Sequence, residues 1–535
     1  AGMVTHAWMV EEGIGRVTDT GLRGLLSARS ADVASGAAYP DSGYIIGGFY
    51  EGGAYGEISH WERFTNAYVQ HIRAKMASGQ CGADLADPAG PCAGLVAHMM
   101  GAAAHGVGDE MWDWMFEPAF PDHGEDPGSR HRIDDFPGHE QLAGVSAELA
   151  EGLRDLEFEA LHGRVGEVDL GFPGDLIYSS EYTMDVIAIA DHGRLLWSPT
   201  PPPVSDLIQI YSRIGYEKID AEGLLAGHAA VNSVLAAERA SLVDAASVRL
   251  DLPWTSDHMD DESGGVEDVG VAVAGYYEAL WRKLQAPAGK TPPPAVTSVH
   301  PEPEETGVPY IWQPAKTQPG PYPDRGGAET RIIAVLSNAL DSSTVSAANF
   351  KLLDAEGKPV PALDGFPRPG PYGNGDGTHT MLFYPAGDLE PCSVYTARVT
   401  GGLRDWAPGA PGWSQSGPEP FEWSFMTRSA DGEPCPKRGG ESVGPPAGGN
   451  NDSACMDARR DIARHRARRA ELRADARALR RAAARAAENG KRAEAAHRRD
   501  QLAAKRRRLA ETGRRIARAQ RRIEESCRAG PSRHE

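Results

Sequence analysis

Residues 95–116 read LVAHMMGAAAHGVGDEMWDWMF, and this stretch sets the character of the N-terminal half of the chain. Its apolar residues do not alternate as those of a half-buried strand do, so the stretch predicts a helix. His105, Asp109 and Asp113 are four residues apart, a spacing that places three candidate metal ligands on one helix face. Taken alone, the spacing also suits solvated or hydrogen-bonded side chains.

Helical periodicity extends over much of the sequence before residue 288. Residues 60–76 (HWERFTNAYVQHIRAKM) and residues 221–243 (AEGLLAGHAAVNSVLAAERASLV) both show it. No stretch of the 535 residues approaches the roughly 20 consecutive apolar residues that a membrane-spanning helix needs. We therefore predict an all-α domain over residues 1–288 and no transmembrane segment.

The pattern changes after the proline-rich residues 286–294 (APAGKTPPP). Short runs separated by Gly, Pro, Asn and Asp predict the strands of a β-sandwich over residues 295–430. These runs are RIIAVLS, NFKLLD, HTMLFYP, VYTARVT and FEWSFMT. With VTSVHPEPE at residues 296–304, they resemble the bacterial Ig-like domains of secreted and surface-layer proteins. The resemblance implies a spacer or adhesion unit without chemistry of its own.

The last part of the chain has a composition typical of long helices. A linker over residues 431–451 precedes residues 452–527, which are rich in Ala, Arg, Leu and Glu. Asn489-Gly490 is the strongest turn signal and lies midway between Cys455 and Cys527. We predict an antiparallel α-helical coiled-coil hairpin closed by a Cys455–Cys527 disulfide, followed by a tail at residues 528–535.

Charge is distributed unevenly along the chain, whose net charge is −20. Residues 451–535 hold 26 Lys and Arg against 12 Asp and Glu, whereas residues 1–450 hold 29 against 63, which gives +14 and −34. The Arg-rich hairpin is thus a candidate for binding an anionic surface or polymer, or a second copy of the protein. Two alternatives are that the hairpin packs against the acidic part of its own chain, or that its charges only keep the coiled coil soluble.

The six cysteines form three neighbouring couples, an even number that suits disulfides in an oxidising compartment. The first residue, Ala1, is a normal start after removal of a signal peptide. We therefore expect a secreted or cell-surface bacterial protein. Free buried thiols are the alternative for the first two couples. The expected disulfides are Cys81–Cys92, Cys392–Cys435 and Cys455–Cys527.

Over residues 1–217 the chain resembles the zinc-dependent phospholipase C family, which includes the N-terminal domain of glycosylphosphatidylinositol-specific phospholipase D. The fungal zinc nucleases that cleave single-stranded nucleic acid are more distant relatives of that family. The motifs that carry the resemblance are the Ala1-to-His6 spacing, YPDSGY with Asp41, ISHWERF with His60, and the His105 and Asp109 pair. Residues 180–193 (SEYTMDVIAIADHG) and 204–215 (VSDLIQIYSRIG) extend it.

The resemblance implies a cluster of three metal ions. One zinc would bind Asp41, His60, His105 and Asp109, which are all good zinc ligands. A second zinc would bind the amino group and carbonyl of Ala1, His6 and the shared carboxylate of Asp109. The third set would be Asp113, Glu181 and Asp185, where relatives supply two histidines and one carboxylate. Because oxygen-only ligands favour Ca²⁺, Mg²⁺ or Mn²⁺, this site would hold one of these harder cations or be empty.

The chemistry implied is hydrolysis of a phosphodiester, foremost a phospholipid, by a metal-activated water, with Asp41 as ligand and as proton acceptor. Trp61, Trp112 and Trp114 flank the ligand motifs and would either form an apolar wall for the substrate or pack in the core. One alternative is a structural or adhesive cell-surface protein whose metal-bound helical domain is not catalytic. An extracellular nuclease is another, which the acidic charge of residues 1–450 disfavours.

Overall fold

A computed structural model describes residues 3–47, 55–116, 121–122, 126–127, 203–241, 263–285, 293–308, 310, 331–370, 377–406, 418–430 and 435. The chain divides into two compact units, Ala1–Cys435 and Pro436–Glu535. The predicted coiled-coil hairpin and its Cys455–Cys527 bond lie outside the described residues. The architecture below is that of the first unit.

The N-terminal part of this unit is helical, as its sequence periodicity predicts. Its helices are α1 (Met3–Arg16), α2 (Thr20–Ala28), α3 (Ser30–Gly47), α4 (Gly56–Ser59), α5 (Glu62–Ala77), α6 (Ala93–Met111), α7 (Val204–Arg213), α8 (Ala221–Ser241) and α9 (Val266–Gln285). A π-helical turn at Trp112–Phe116 continues α6, and two short strands, β1 (Pro121–Asp122) and β2 (Asp126–Pro127), pair antiparallel. Nearly every residue of α6 is buried, which suits a helix that is apolar on all sides.

Local signals fix the ends of several helices. The Asp19 side chain accepts a hydrogen bond from the Leu22 backbone N–H at 2.8 Å and caps the start of α2. The loop between α5 and α6 is closed by the predicted disulfide Cys81–Cys92. This bond ties the start of α6, the helix that carries the candidate metal ligands His105 and Asp109, to the segment that follows α5.

The second part of the unit is a sandwich of two four-stranded sheets, as predicted. Its strands are β3 (Val296–His300), β4 (Thr306–Val308), β5 (Ile332–Leu340), β6 (Phe350–Leu353), β7 (Arg368–Pro369), β8 (Thr378–Phe383), β9 (Val394–Val399) and β10 (Phe421–Thr427). The strand orders are β4-β10-β9-β6 and β3-β5-β8-β7, and only the β4–β10 pair among these is parallel. The predicted Cys392–Cys435 disulfide closes the sandwich at the end of the unit.

Strand β5 is buried at all nine positions, so both of its faces are covered. Ile332 and Ala334 point into the core of the sandwich. Ile333 and Val335 point the other way and belong to the core of the helical part. Helix α9 packs against this face of β5. A strand that is buried on both faces has a continuous apolar sequence, which explains the run RIIAVLS. The sandwich is therefore docked on the helices through a shared apolar core.

Among the described residues, no helix has the length and apolar character needed to cross a membrane.

Candidate metal centre

Five of the predicted ligands converge from four parts of the helical fold. His6 lies on α1, Asp41 on α3, and His60 directly after α4, while α6 supplies His105 and Asp109. Within the described residues, two overlapping groups have ligand atoms that all lie within 4.8 Å of one another. The groups are Asp41, His60 and His105, and His6, His105 and Asp109.

Small residues allow the two central helices to approach closely enough for this. A Cβ atom at Gly101 of α6 would lie 1.9 Å from the backbone oxygen of Val33, and one at Gly36 of α3 would lie 2.1 Å from that of His98. Neither position accommodates a side chain at this crossing. The contact of the two backbones places Asp41, near the end of α3, beside His105 on α6.

The distances between side chains are those of a compact polar cluster. The Nε2 atom of His105 lies 3.0 Å from that of His60, 3.5 Å from Asp41 Oδ1 and 3.2 Å from Asp109 Oδ2. The Nε2 atom of His60 is 3.6 Å from Asp41 Oδ1 and 3.7 Å from Asp109 Oδ2. His6 Nε2 lies 3.0 Å from Asp109 Oδ1, and the His6 ring stacks on that of His105 at 3.8 Å.

Backbone carbonyls fix the orientation of two of the imidazoles. The Nδ1 atom of His60 lies 2.6 Å from the oxygen of Gly56, and that of His105 lies 2.5 Å from the oxygen of Ala37. Because a carbonyl oxygen only accepts, each Nδ1 carries a proton and donates it. When both rings are neutral, as metal binding requires, each Nε2 atom presents a lone pair, and the two atoms face each other. This arrangement orients metal-binding histidines in proteins, and the donor set fits zinc.

The charges of the cluster favour a bound cation. Burial by itself lowers the pKa of His105, but the carboxylates of Asp41 and Asp109 outweigh it and raise that pKa to about 9. Burial raises the pKa of Asp41, yet His105 and His60 hold it below its ordinary value. Burial, with His105 close by, lowers the pKa of His6 to about 4. The two carboxylates thus stay ionised, and without a metal His105 holds a proton at neutral pH.

The side chains differ in their access to solvent. The three imidazoles are at most 5% exposed, whereas Asp41 is 22% exposed and Asp109 is 17% exposed. The cluster therefore reaches solvent through its two carboxylates. Trp61 and Trp112 are buried, so they pack in the core and form no exposed apolar wall.

The other predicted ligands are not placed with these five. Asp113 lies in the π-helical turn after α6, where only its backbone is described. Ala1, Glu181 and Asp185 lie outside the described residues. His98 is buried and its Nδ1 lies 3.1 Å from the Tyr68 hydroxyl, away from the ligand groups.

Sequence reasoning missed two buried acidic residues next to the ligands. Glu110 follows Asp109 and is 2% exposed, and Glu62, two residues after His60, is 5% exposed. Glu110 contacts the β-sandwich directly at His379. Glu62 is connected to it through Lys283, which also pairs with Asp405. The available signal was the charged side chain of Glu110 in a helix that is mostly apolar apart from its candidate ligands and His98.

Comparison with known proteins assigns the second part of the chain. Residues 290–427 match the family described as bacterial Ig-like domain, which confirms the resemblance seen in the sequence. Residues 1–289 lie outside that match, so the phospholipase C resemblance stays a prediction. No curated protein is significantly similar to the chain.

Solved structures give only weak similarities. The N-terminal part of the bacterial S-layer protein SbsC is 12% identical with a TM-score of 0.17, over 76% of this chain and 79% of that chain. The S-layer protein rSbsC(31-844) is 11% identical with a TM-score of 0.16, over 76% of this chain and 45% of that chain. TM-scores this low support no inference about the fold or the function of this chain.

Proposed function

We propose that the helical part holds a zinc centre that hydrolyses phosphodiester bonds, as in a phospholipase C. The observation that carries the proposal is the pair of facing Nε2 atoms of His60 and His105 between the carboxylates of Asp41 and Asp109. Zinc, when bound, supplies a Lewis acid that binds phosphate oxygens and makes water more acidic.

The residues of the chain have separate tasks in this proposal. His60 and His105, with Nδ1 held by backbone carbonyls, bind through Nε2 together with Asp41 and Asp109. His6 and Asp109, with the terminal amine of Ala1, bind a second ion. The partly exposed carboxylate of Asp41 orients the attacking water and accepts its proton. The third set, Asp113, Glu181 and Asp185, would bind an ion of Ca²⁺, Mg²⁺ or Mn²⁺ type or be empty.

A second candidate is a structural or adhesive protein of the bacterial cell surface, in which the metal stabilises the helices without turnover. The Ig-like domain and its shared core with the helices favour it. Both candidates place the protein outside the cell, which agrees with the two disulfides. The Arg-rich hairpin would in either case bind an anionic surface or polymer, or another copy.

One set of measurements separates the candidates. Metal content is determined by mass spectrometry, and phosphodiesterase activity is assayed on choline phospholipid, phosphoinositide and single-stranded DNA. Asp41→Asn should abolish turnover, whereas Glu217→Gln, a change at an exposed carboxylate, should not. Bound zinc without activity on any substrate would favour the structural candidate, and cleavage of DNA alone would favour the nuclease.

A further inference from the structure

The Ig-like domain contacts the helical part at the residues that adjoin the metal ligands. Glu110, the residue after Asp109, directs its carboxylate into strand β8. Its Oε2 atom accepts hydrogen bonds from the backbone N–H of His379 at 2.9 Å, from the N–H of Thr380 at 3.0 Å and from the Thr380 hydroxyl at 3.0 Å. A buried carboxylate is costly without partners, and here one atom has three donors. The end of α6 is thereby tied to the sheet.

A second connection lies behind His60. Glu62, two residues further along, accepts a hydrogen bond from the Tyr276 hydroxyl of α9 and lies 3.6 Å from Lys283 Nζ. The same ammonium group lies 3.3 Å from Asp405 of the Ig-like domain. All three charged side chains are at most 3% exposed. A small cavity at this contact is lined by residues of both parts, among them the ligand His60 and also Glu62, Glu110, Gly377 and His379.

We propose that the Ig-like domain positions the metal centre, with Glu110 as the positioning residue. The inference rests on the proposed metal binding but not on the proposed hydrolysis. Strand β8 fixes the Glu110 carboxylate, and Glu110 fixes the last turn of α6, which carries Asp109 one residue earlier and His105 one turn before that. The domain is therefore part of the metal site's support, in addition to any spacer role.

Groups that hydrogen-bond directly to metal ligands change affinity by about 10- to 100-fold when they are removed. Glu110 acts on the ligands through the backbone of α6, so Glu110→Ala in the full-length protein should weaken zinc binding by about tenfold, the lower end of that range, measured by competition with a chromophoric chelator. Glu110→Gln keeps an oxygen that accepts from β8 and should restore most of the affinity. Thr380→Val removes one of the three donors and should have a smaller effect in the same direction.

A matched control separates positioning from general destabilisation. Leu352 is fully buried in the other sheet, in the sandwich core away from α6, so Leu352→Ala lowers stability without touching Glu110. The inference expects zinc affinity to fall in Glu110→Ala and to stay near wild type in folded Leu352→Ala. Equal loss of zinc affinity in both variants, or unchanged affinity in Glu110→Ala, would overturn the inference.

Thr380→Val covers the case in which Glu110→Ala does not fold. Wild-type zinc affinity in Thr380→Val would then overturn the inference. Absence of zinc binding by the wild-type protein would overturn the metal centre itself.

Discussion

The Nε2 atoms of His60 and His105 lie 3.0 Å apart, and the Nδ1 atom of each ring donates to a backbone carbonyl. Without a metal, the carboxylates of Asp41 and Asp109 keep a proton on His105, whose pKa they raise to about 9, and both carboxylates lie within 3.7 Å of the two rings. A cation that replaces this proton would meet one Nε2 lone pair from each ring and both carboxylates. The backbone contacts therefore hold four groups in position around one cation.

Zinc should therefore stabilise the folded protein. At free zinc 100 times above its dissociation constant, binding adds about 2.7 kcal/mol to the free energy of unfolding. Scanning calorimetry with zinc and with excess chelator should show a higher Tm with zinc. His105→Ala removes a ligand common to both groups, so its Tm should no longer respond to zinc, whereas Glu217→Gln should respond as wild type does. An identical wild-type Tm under both conditions would contradict the prediction.

The crossing of α3 and α6 should not tolerate a methyl group. Gly101→Ala places a Cβ 1.9 Å from the Val33 oxygen, so the helices must separate. We expect a loss of about 1–3 kcal/mol in the free energy of unfolding and weaker zinc binding, since Asp41 and His105 move apart. Gly94, on the same helix, is the control: its added Cβ would meet nothing closer than 3.8 Å. Urea unfolding of Gly94→Ala should show no loss, because Ala favours helices.

Removing the buried cation at the contact between the two parts should be more harmful than removing a partly exposed one. Lys283→Met leaves the buried carboxyl groups of Glu62 and Asp405 without their shared ammonium group, so each must stay charged at a cost or take up a proton. We expect a loss of about 3–5 kcal/mol in the free energy of unfolding. Lys75→Met is the matched control, because Lys75 is 23% exposed and pairs with Asp206. Its loss should be about 1 kcal/mol or less. Equal losses of unfolding free energy in chemical denaturation would contradict the prediction, because burial of Lys283 with Glu62 and Asp405 would then have no added effect.

The sequence predicted the classes of the two parts correctly but not their contact. Periodicity identified helices before residue 285 and strands after 295, because local apolar patterns reflect local burial. The contact depends on Glu110 with Thr380 and on Lys283 with Asp405, pairs that are more than 100 residues apart. No local pattern links such positions. The run RIIAVLS predicted a strand of the sandwich, but not that α9 covers one of its faces.

The group of candidate metal ligands was only partly predictable from residue patterns. The spacing of His105 and Asp109 on α6 follows from helix geometry alone. Asp41 and His60 join them only through the close crossing of α3 with α6 and the turn after α4, which depend on tertiary packing at Gly36 and Gly101. The motif resemblance supplied those two residues, where residue patterns by themselves could not.

Acid should destabilise the fold in part through His98. Burial, with His228 nearby, lowers the pKa of His98 to about 3, compared with 6.5 for an ordinary histidine. Between these values the unfolded chain binds a proton that the folded chain does not. The contribution of neutral His98 is thus complete above pH 6.5 and is lost as the pH falls. From pH 7 to pH 4.5 the loss is about 2–3 kcal/mol.

Urea unfolding of the protein in excess chelator at these two pH values measures this loss without interference from bound metal. His98→Asn cannot titrate and keeps a polar group near the Tyr68 hydroxyl, so its stability should fall less between pH 7 and pH 4.5 than that of wild type, even if it starts lower. His379, whose pKa burial lowers to about 4, titrates in both proteins and cancels in the comparison. Parallel pH dependences of the two proteins would mean that His98 is protonated in the folded state.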